Sequence, residues 1–202
     1  MKTNPLDSID TFYVDAQALL PLLQKYKKPW DWIARQIKNG NLIRIKNGLY
    51  CIAKREIEKS QLANVLYGPS YVSLHWALSF YGFIPERVEV VTSVTTRRNK
   101  EYSTPLGRFS YSYLNRDRYC IAFNLTEKPF PFLIATPEKA IIDFLHFYCD
   151  VSTKKDLLDQ LFESYRMEID DINNLDKRVL KAIALQYRSP IVDLFIKSLE
   201  LL

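Results

Sequence analysis

Lys27, Lys28, Arg35, Lys38, Arg44 and Lys46 are six cations in a short stretch that holds one carboxylate, Asp31. A lysine or arginine that neutralises a phosphate releases condensed counterions, so residues of this type in this density offer the chemistry of nucleic-acid binding, with a measurable salt dependence. The charge is unevenly placed. Residues 1–55 carry ten Lys/Arg against four Asp/Glu, net +6, whereas residues 56–202 carry eighteen against nineteen, net −1. A second basic group, Arg97, Arg98 and Lys100, stands alone in the rest of the chain. It reads equally as a solvated turn, an extra phosphate contact or a contact to an acidic partner.

Other chemistries find little support. Nuclease chemistry needs a carboxylate cluster for Mg²⁺ with a lysine nearby, but Glu127-Lys128 and Glu138-Lys139 are adjacent pairs whose side chains point apart on a strand. A nucleotidyltransferase needs a Gly-Ser turn and an Asp-x-Asp pair for two metals, and neither occurs. His146 and Cys149 lie three apart, yet two ligands do not make a zinc site. With five glycines in the chain there is no Gly-rich phosphate loop. The expectation is a protein that is not an enzyme and uses no metal or cofactor.

The basic residues must be held by a helix and a hairpin. In Trp30–Lys38, Trp30, Ile33, Ala34 and Ile37 fall at i, i+3, i+4 and i+7, predicting an apolar face with Asp31, Arg35 and Lys38 opposite. Gly40 suits a left-handed helix stop, and Asn47-Gly48 suits a type I′ turn between strands carrying Arg44 and Lys46. Helix, tight stop and basic hairpin together predict a winged helix-turn-helix, with the helix in the major groove and the hairpin on flanking phosphates.

With 48% hydrophobic and 13% aromatic residues, 202 positions can build one large or two small cores, and two are expected: residues 1–57, and residues 58–202 after the polar connection Lys54–Lys59. No apolar run reaches the ~20 residues of a membrane span, Asp7 and Asp10 interrupt any leader, and three scattered cysteines suit a reducing compartment, so a cytoplasmic location is expected. A short strand at Phe12–Val14 and a helix from about Asp15 to Tyr26 should support the recognition helix. In the second unit, a helix at about Tyr71–Tyr81 is expected with Ser70 as N-cap and Gly82 as stop. Val88–Thr96, Arg108–Leu114, Tyr119–Leu125 and Phe132–Ala135 read as strands, Arg97–Lys100 as a basic turn, and Glu138–Tyr148 as a helix capped by Thr136-Pro137. Three more helices are expected at about Lys154–Arg166, Ile172–Tyr187 and Pro190–Leu201, the last capped by Ser189. The fold class is therefore α+β: an N-terminal winged helix, then a mixed domain with a small, mostly antiparallel sheet and several helices.

Six segments, in order, carry a resemblance to a known family: Gly48-Leu49-Tyr50, Leu66–Leu74, Tyr81–Glu86, Thr92–Thr96, Thr104–Phe109 and Ala135–Ala140. Over about residues 10–150 the chain resembles the AbiEi-type abortive-infection antitoxins. The resemblance implies a winged helix that binds the promoter of its own operon and a second domain with antitoxin activity against a nucleotidyltransferase-class toxin, without a stable complex between the two. It implies DNA contacts at Lys27, Lys28, Arg35, Gln36, Lys38, Arg44 and Lys46. Arg35 and Gln36 suit base edges, because Arg pairs with guanine and Gln with adenine, while Lys27, Lys28, Arg44 and Lys46 suit phosphates. The family's Pro69, Gly82, Pro85, Pro105, Gly107 and Pro137 read as turn and cap residues. The competing expectation is a protein-interaction module whose winged helix meets a protein partner.

Overall fold

The computed structural model describes residues 4–127 and 129–199. Among these the chain forms ten α-helices and two β-sheets, a mixed α+β architecture.

The N-terminal unit contains β1 (Tyr13–Asp15), α1 (Ala16–Leu22), α2 (Pro29–Lys38), β2 (Leu42–Lys46) and β3 (Leu49–Ile52). Asp15 starts α1 by accepting from the Ala18 amide at 2.7 Å. The strands form an antiparallel sheet in the order β1-β3-β2. The turn at Asn47-Gly48 is not type I′, which needs positive φ at both positions; only Gly48 has it, at 75°. The register slips between Arg44 and Lys46 instead, a bulge that adds local twist and re-aims the Lys46 side chain.

Both faces of this sheet are covered. Val14, Leu42, Tyr50 and Ile52 join Leu19, Leu23, Trp32 and Ile33 in one core, beneath α1 and α2. The alternate residues Ile45, Leu49 and Cys51 belong to the core of the rest of the chain, with Ile43 packed against it. Alternation along a strand sends neighbours to opposite faces, so β3 is apolar throughout because it serves two cores.

The larger unit opens on a helix where a polar connection was expected. Glu58, inside the expected polar connection, caps α3 (Lys59–Leu66) through the Ser60 amide and hydroxyl, and Leu62, Ala63 and Leu66 are buried. Ser70 does not cap a helix: Ser70–Val72 is β4, and α4 runs Leu74–Tyr81. All three β4 residues are buried because the strand lies inside the sheet, which removes the alternation that would mark it. Gly82, at φ 82°, stops α4. The remaining strands are β5 (Val91–Thr95), β6 (Lys100–Thr104), β7 (Gly107–Tyr113), β8 (Phe123–Leu125) and β9 (Leu133–Ala135), in the order β6-β7-β5-β4-β9-β8. This six-stranded sheet is larger and more mixed than expected, since β4 pairs with β9 and β5 with β7 in parallel. Lys100 begins β6 rather than ending a turn, and Arg116–Tyr119 forms a short helix, α5, before β8.

Thr136 caps α6 (Pro137–Tyr148) at the Lys139 amide, as the Thr-Pro pair predicts. The C-terminal helices are more broken than expected. Helix α7 (Lys154–Asp159) loosens into a π-turn at Gln160–Ser164, and Arg166 at φ 53° ends it. The next segment splits into α8 (Ile169–Asn173) and α9 (Lys177–Tyr187), because Asp176 accepts from the Arg178 and Val179 amides and starts a new helix. Helix α10 (Pro190–Ser198) follows Ser189, whose side chain makes no capping bond; Leu201 lies outside the described residues.

Candidate nucleic-acid interface

Helix α2 starts at Pro29, where a missing amide costs nothing. It ends in a Schellman arrangement: the Gly40 amide donates to Ile37 C=O at 3.0 Å and the Asn41 amide to Gln36 C=O at 2.9 Å, with Gly40 at φ 72°. The helix is turned about one residue step, roughly 100°, from the orientation its spacing suggests. Trp32 and Ile33 point into the N-terminal core, and Trp32 packs on Tyr26 with ring centroids 5.6 Å apart. Trp30, placed inward by the i, i+3, i+4 pattern, is 56% exposed. Trp32 is the tryptophan that turns inward, sharing the N-terminal core with Leu23 and Tyr26.

This rotation leaves Lys27, Lys28, Arg35 and Lys38 exposed together with Trp30 and Ala34. Arg35 and Lys38, three apart, share one face. Asp31 is the only carboxylate on it and lies 3.9 Å from the Lys28 ammonium, an exposed pair of little energetic weight. Gln36 is half-buried, and its side-chain oxygen accepts from the Asn41 amide group at 2.8 Å. It is engaged at the helix C-terminus instead of standing free for a base edge.

The two hairpin cations part company. Arg44 is exposed and its guanidinium donates to Asn47 Oδ1 across the turn. Lys46 is half-buried and donates to the Leu66 carbonyl at 2.5 Å. Leu66 is the last residue of α3, so the ammonium sits where the helix dipole favours a cation. Burial first, and Arg97 nearby second, push the Lys46 ammonium below its ordinary titration range. Lys46 therefore ties the hairpin to the larger unit. Its partner is twenty residues away, a distance at which sequence pattern carries no signal.

The second basic group is brought to the same place. Lys46 and Lys100 both lie over the Tyr102 ring, at 5.9 and 5.8 Å from its centroid, and Arg97 lies 5.6 Å over Tyr67. The Tyr67 hydroxyl donates to the Arg98 carbonyl at 3.3 Å and steadies the turn. Tyr67, Tyr102 and Tyr111 pack edge to face beneath these cations.

A buried polar cluster in the larger unit escaped the sequence reading. Lys139 donates to Asp143 at 2.6 Å, both side chains fully buried. Asp143 also accepts from Ser73 at 2.7 Å, from Tyr71 at 3.0 Å and from Tyr187. Lys139 further contacts the Tyr187 hydroxyl and lies over its ring. Burial lowers the Lys139 titration range, opposed by Asp143, and burial raises Tyr71 and Tyr187 well above the ordinary tyrosine value. The i,i+4 Lys–Asp spacing on α6 was the available signal. The cluster clamps β4 and the residue after it to α6 and α9. Tyr71, Ser73, Lys139, Asp143 and Tyr187 are all fully buried.

His146 is half-buried against Arg118, 3.1 Å away, and against the Tyr187 ring. Among the described residues no group of three or more His, Cys, Asp or Glu could hold a metal ion, and no helix is long and apolar enough to cross a membrane. Of the Glu127-Lys128 pair, Lys128 lies outside the described residues. No protein-family model matches the chain, and no curated protein gives a significant match.

Proposed function

We propose that this chain is a DNA-binding transcriptional regulator that represses its own operon, with the N-terminal unit acting as a winged helix. The observation that carries the reading is the exposed face of α2. Lys27, Lys28, Arg35 and Lys38 stand on it with one carboxylate among them, and Arg44 is exposed on the adjoining hairpin. Helix α2 enters the major groove, Arg35 reads a base edge, and Lys27, Lys28, Lys38 and Arg44 meet phosphates. Lys46 serves the reading indirectly by fixing the hairpin to the larger unit. The resemblance to AbiEi-type antitoxins supports a further role for the larger unit, countering a nucleotidyltransferase-class toxin without a stable complex.

The test is binding to the DNA upstream of the chain's own gene against scrambled competitor at two salt concentrations. Selective binding that weakens with salt is expected, and Arg35→Ala should lower the preference by about 1–3 kcal/mol. An Arg35/Lys38/Arg44 triple alanine variant should lose binding and flatten the salt dependence by up to about 0.9 per phosphate contact removed. A well-folded sample with no preference for that DNA overturns the reading. One observation favours a second reading, a module that binds a protein: Trp30 is 56% exposed at the edge of the same face, and exposed tryptophan is typical of protein interfaces. Alanine at Trp30 that leaves DNA binding intact but abolishes capture of a defined partner would select it.

A further inference from the structure

The β5–β6 turn and the end of β7 border a shallow, open cleft of about 750 Å³, lined by Tyr67, Thr96, Arg97, Arg98, Asn99 and Tyr113. No carboxylate lines it, and among the described residues none lies within ion-pair distance of Arg97, Arg98 or Lys100. The aromatic residues play different parts. Tyr67 lies under Arg97 and donates to the Arg98 carbonyl, so it positions the two arginines. Tyr113 is 52% exposed and, among the described residues, pairs with no ring and lies under no cation, while its own amide donates to Asn99 Oδ1 at 2.7 Å, which fixes the backbone that carries it. Beyond the cleft the positive charge continues to the exposed Lys100, which lies over the Tyr102 ring.

We propose that this cleft binds single-stranded nucleic acid, with one unstacked base on the Tyr113 ring and its flanking phosphates on Arg97, Arg98 and Lys100. Uncompensated cations track a phosphate backbone, and an exposed aromatic ring supplies a base-stacking surface that tolerates any sequence. A duplex keeps its bases inside the stack, so it leaves the free Tyr113 ring unused. The cations leading out of the cleft to Lys100 fit a strand of more than one nucleotide better than a lone nucleotide. The inference rests on a surface separate from α2 and stands whether or not the operator reading holds.

The experiment is fluorescence anisotropy of a short fluorescein-labelled oligothymidylate with the full chain, alongside the same sequence as a duplex and thymidine monophosphate as competitor. The single strand should bind, and Tyr113→Ala should weaken it about tenfold or more, the loss of one base–aromatic stack. Tyr113→Phe keeps the ring and should stay within about twofold of the parent. Arg97→Ala with Arg98→Ala should weaken binding and flatten the salt dependence by about 1.4, two single-strand phosphate contacts. Arg35→Ala with Lys38→Ala should weaken single-strand binding by less than Tyr113→Ala does, which separates this site from the operator face. The proposal is overturned if the folded protein does not bind the strand, if Tyr113→Ala changes nothing, if the mononucleotide competes as well as the strand, or if the two arginines matter for the duplex alone.

Discussion

Lys139 and Asp143 lose all contact with water on folding; they bond each other, Tyr187 contacts both, and Tyr71 and Ser73 donate to Asp143. A buried ion pair adds little beyond a packed apolar pair of the same shape, but breaking it strands a charge. Lys139→Met is therefore expected to destabilise the chain by about 3–5 kcal/mol, measured by urea unfolding. Lys139→Met with Asp143→Leu should recover much of that loss, and a double variant as unstable as the single one would refute the clamp. The pair was legible as an i,i+4 spacing on a helix, whereas its tyrosine partners, 44 to 72 positions from Asp143, were not. Lys46 teaches the same lesson. Its charge and hairpin position suggested a phosphate contact, and a carbonyl at the end of α3 claims it instead.

At the scale of elements, the orientation of α2 decides which side chains can meet a ligand. The helix itself was readable from Pro29 and Gly40, the residues that start and stop it. Which face turns inward was not, since two overlapping apolar stripes pass through the segment and only Tyr26 and the N-terminal core choose between them. Trp32→Ala should cost about 3–5 kcal/mol, the loss of a buried aromatic. Trp30→Ala should change stability by no more than about 0.5 kcal/mol, as exposed positions do. Thermal or urea unfolding of the two variants checks the rotation; equal costs would contradict it. The strand β4 shows the opposite failure. Its burial on both faces erases the period that identifies strands at an edge, so Ser70 was read as a cap.

Across the whole molecule, the N-terminal sheet ties the two units together, because one face of β2 and β3 contributes Ile45, Leu49 and Cys51 to the larger core. A fragment of residues 1–57 should therefore expose an apolar face and be less stable than the same residues in the full chain, or associate. Urea unfolding and size-exclusion chromatography of the fragment check this, and a monomeric fragment as stable as the intact protein would contradict it. A second whole-molecule outcome concerns alkaline pH. Burial raises Tyr81 and Tyr119 to about 12, and raises Tyr71, Tyr111 and Tyr187 further. A group whose folded value lies above its unfolded value favours the folded state below the unfolded value and loses that contribution as pH rises. Stability should thus fall from about pH 10 upward. Lys139 and Lys46, both shifted downward, work the other way but are two groups against the five tyrosines. A melting temperature that stays constant from pH 9 to 11 would contradict this expectation.

Local rules by themselves determined the parts of this protein whose signals lie within a few residues: the charge asymmetry, the boundaries of α2 and α6, the Gly40 and Gly82 stops, and the β-branched strand β5. Capping, period and φ preference act over one or two turns, so they survive in any context. Tertiary structure alone decided the rest. It set the parallel pairings of the large sheet, the rotation of α2, the capture of Lys46 by α3, and the meeting of the hairpin cation with Arg97 and Lys100 around two tyrosines. Each of these depends on which of several chemically equivalent partners reaches a site first in space, and that choice is made by packing across tens of residues.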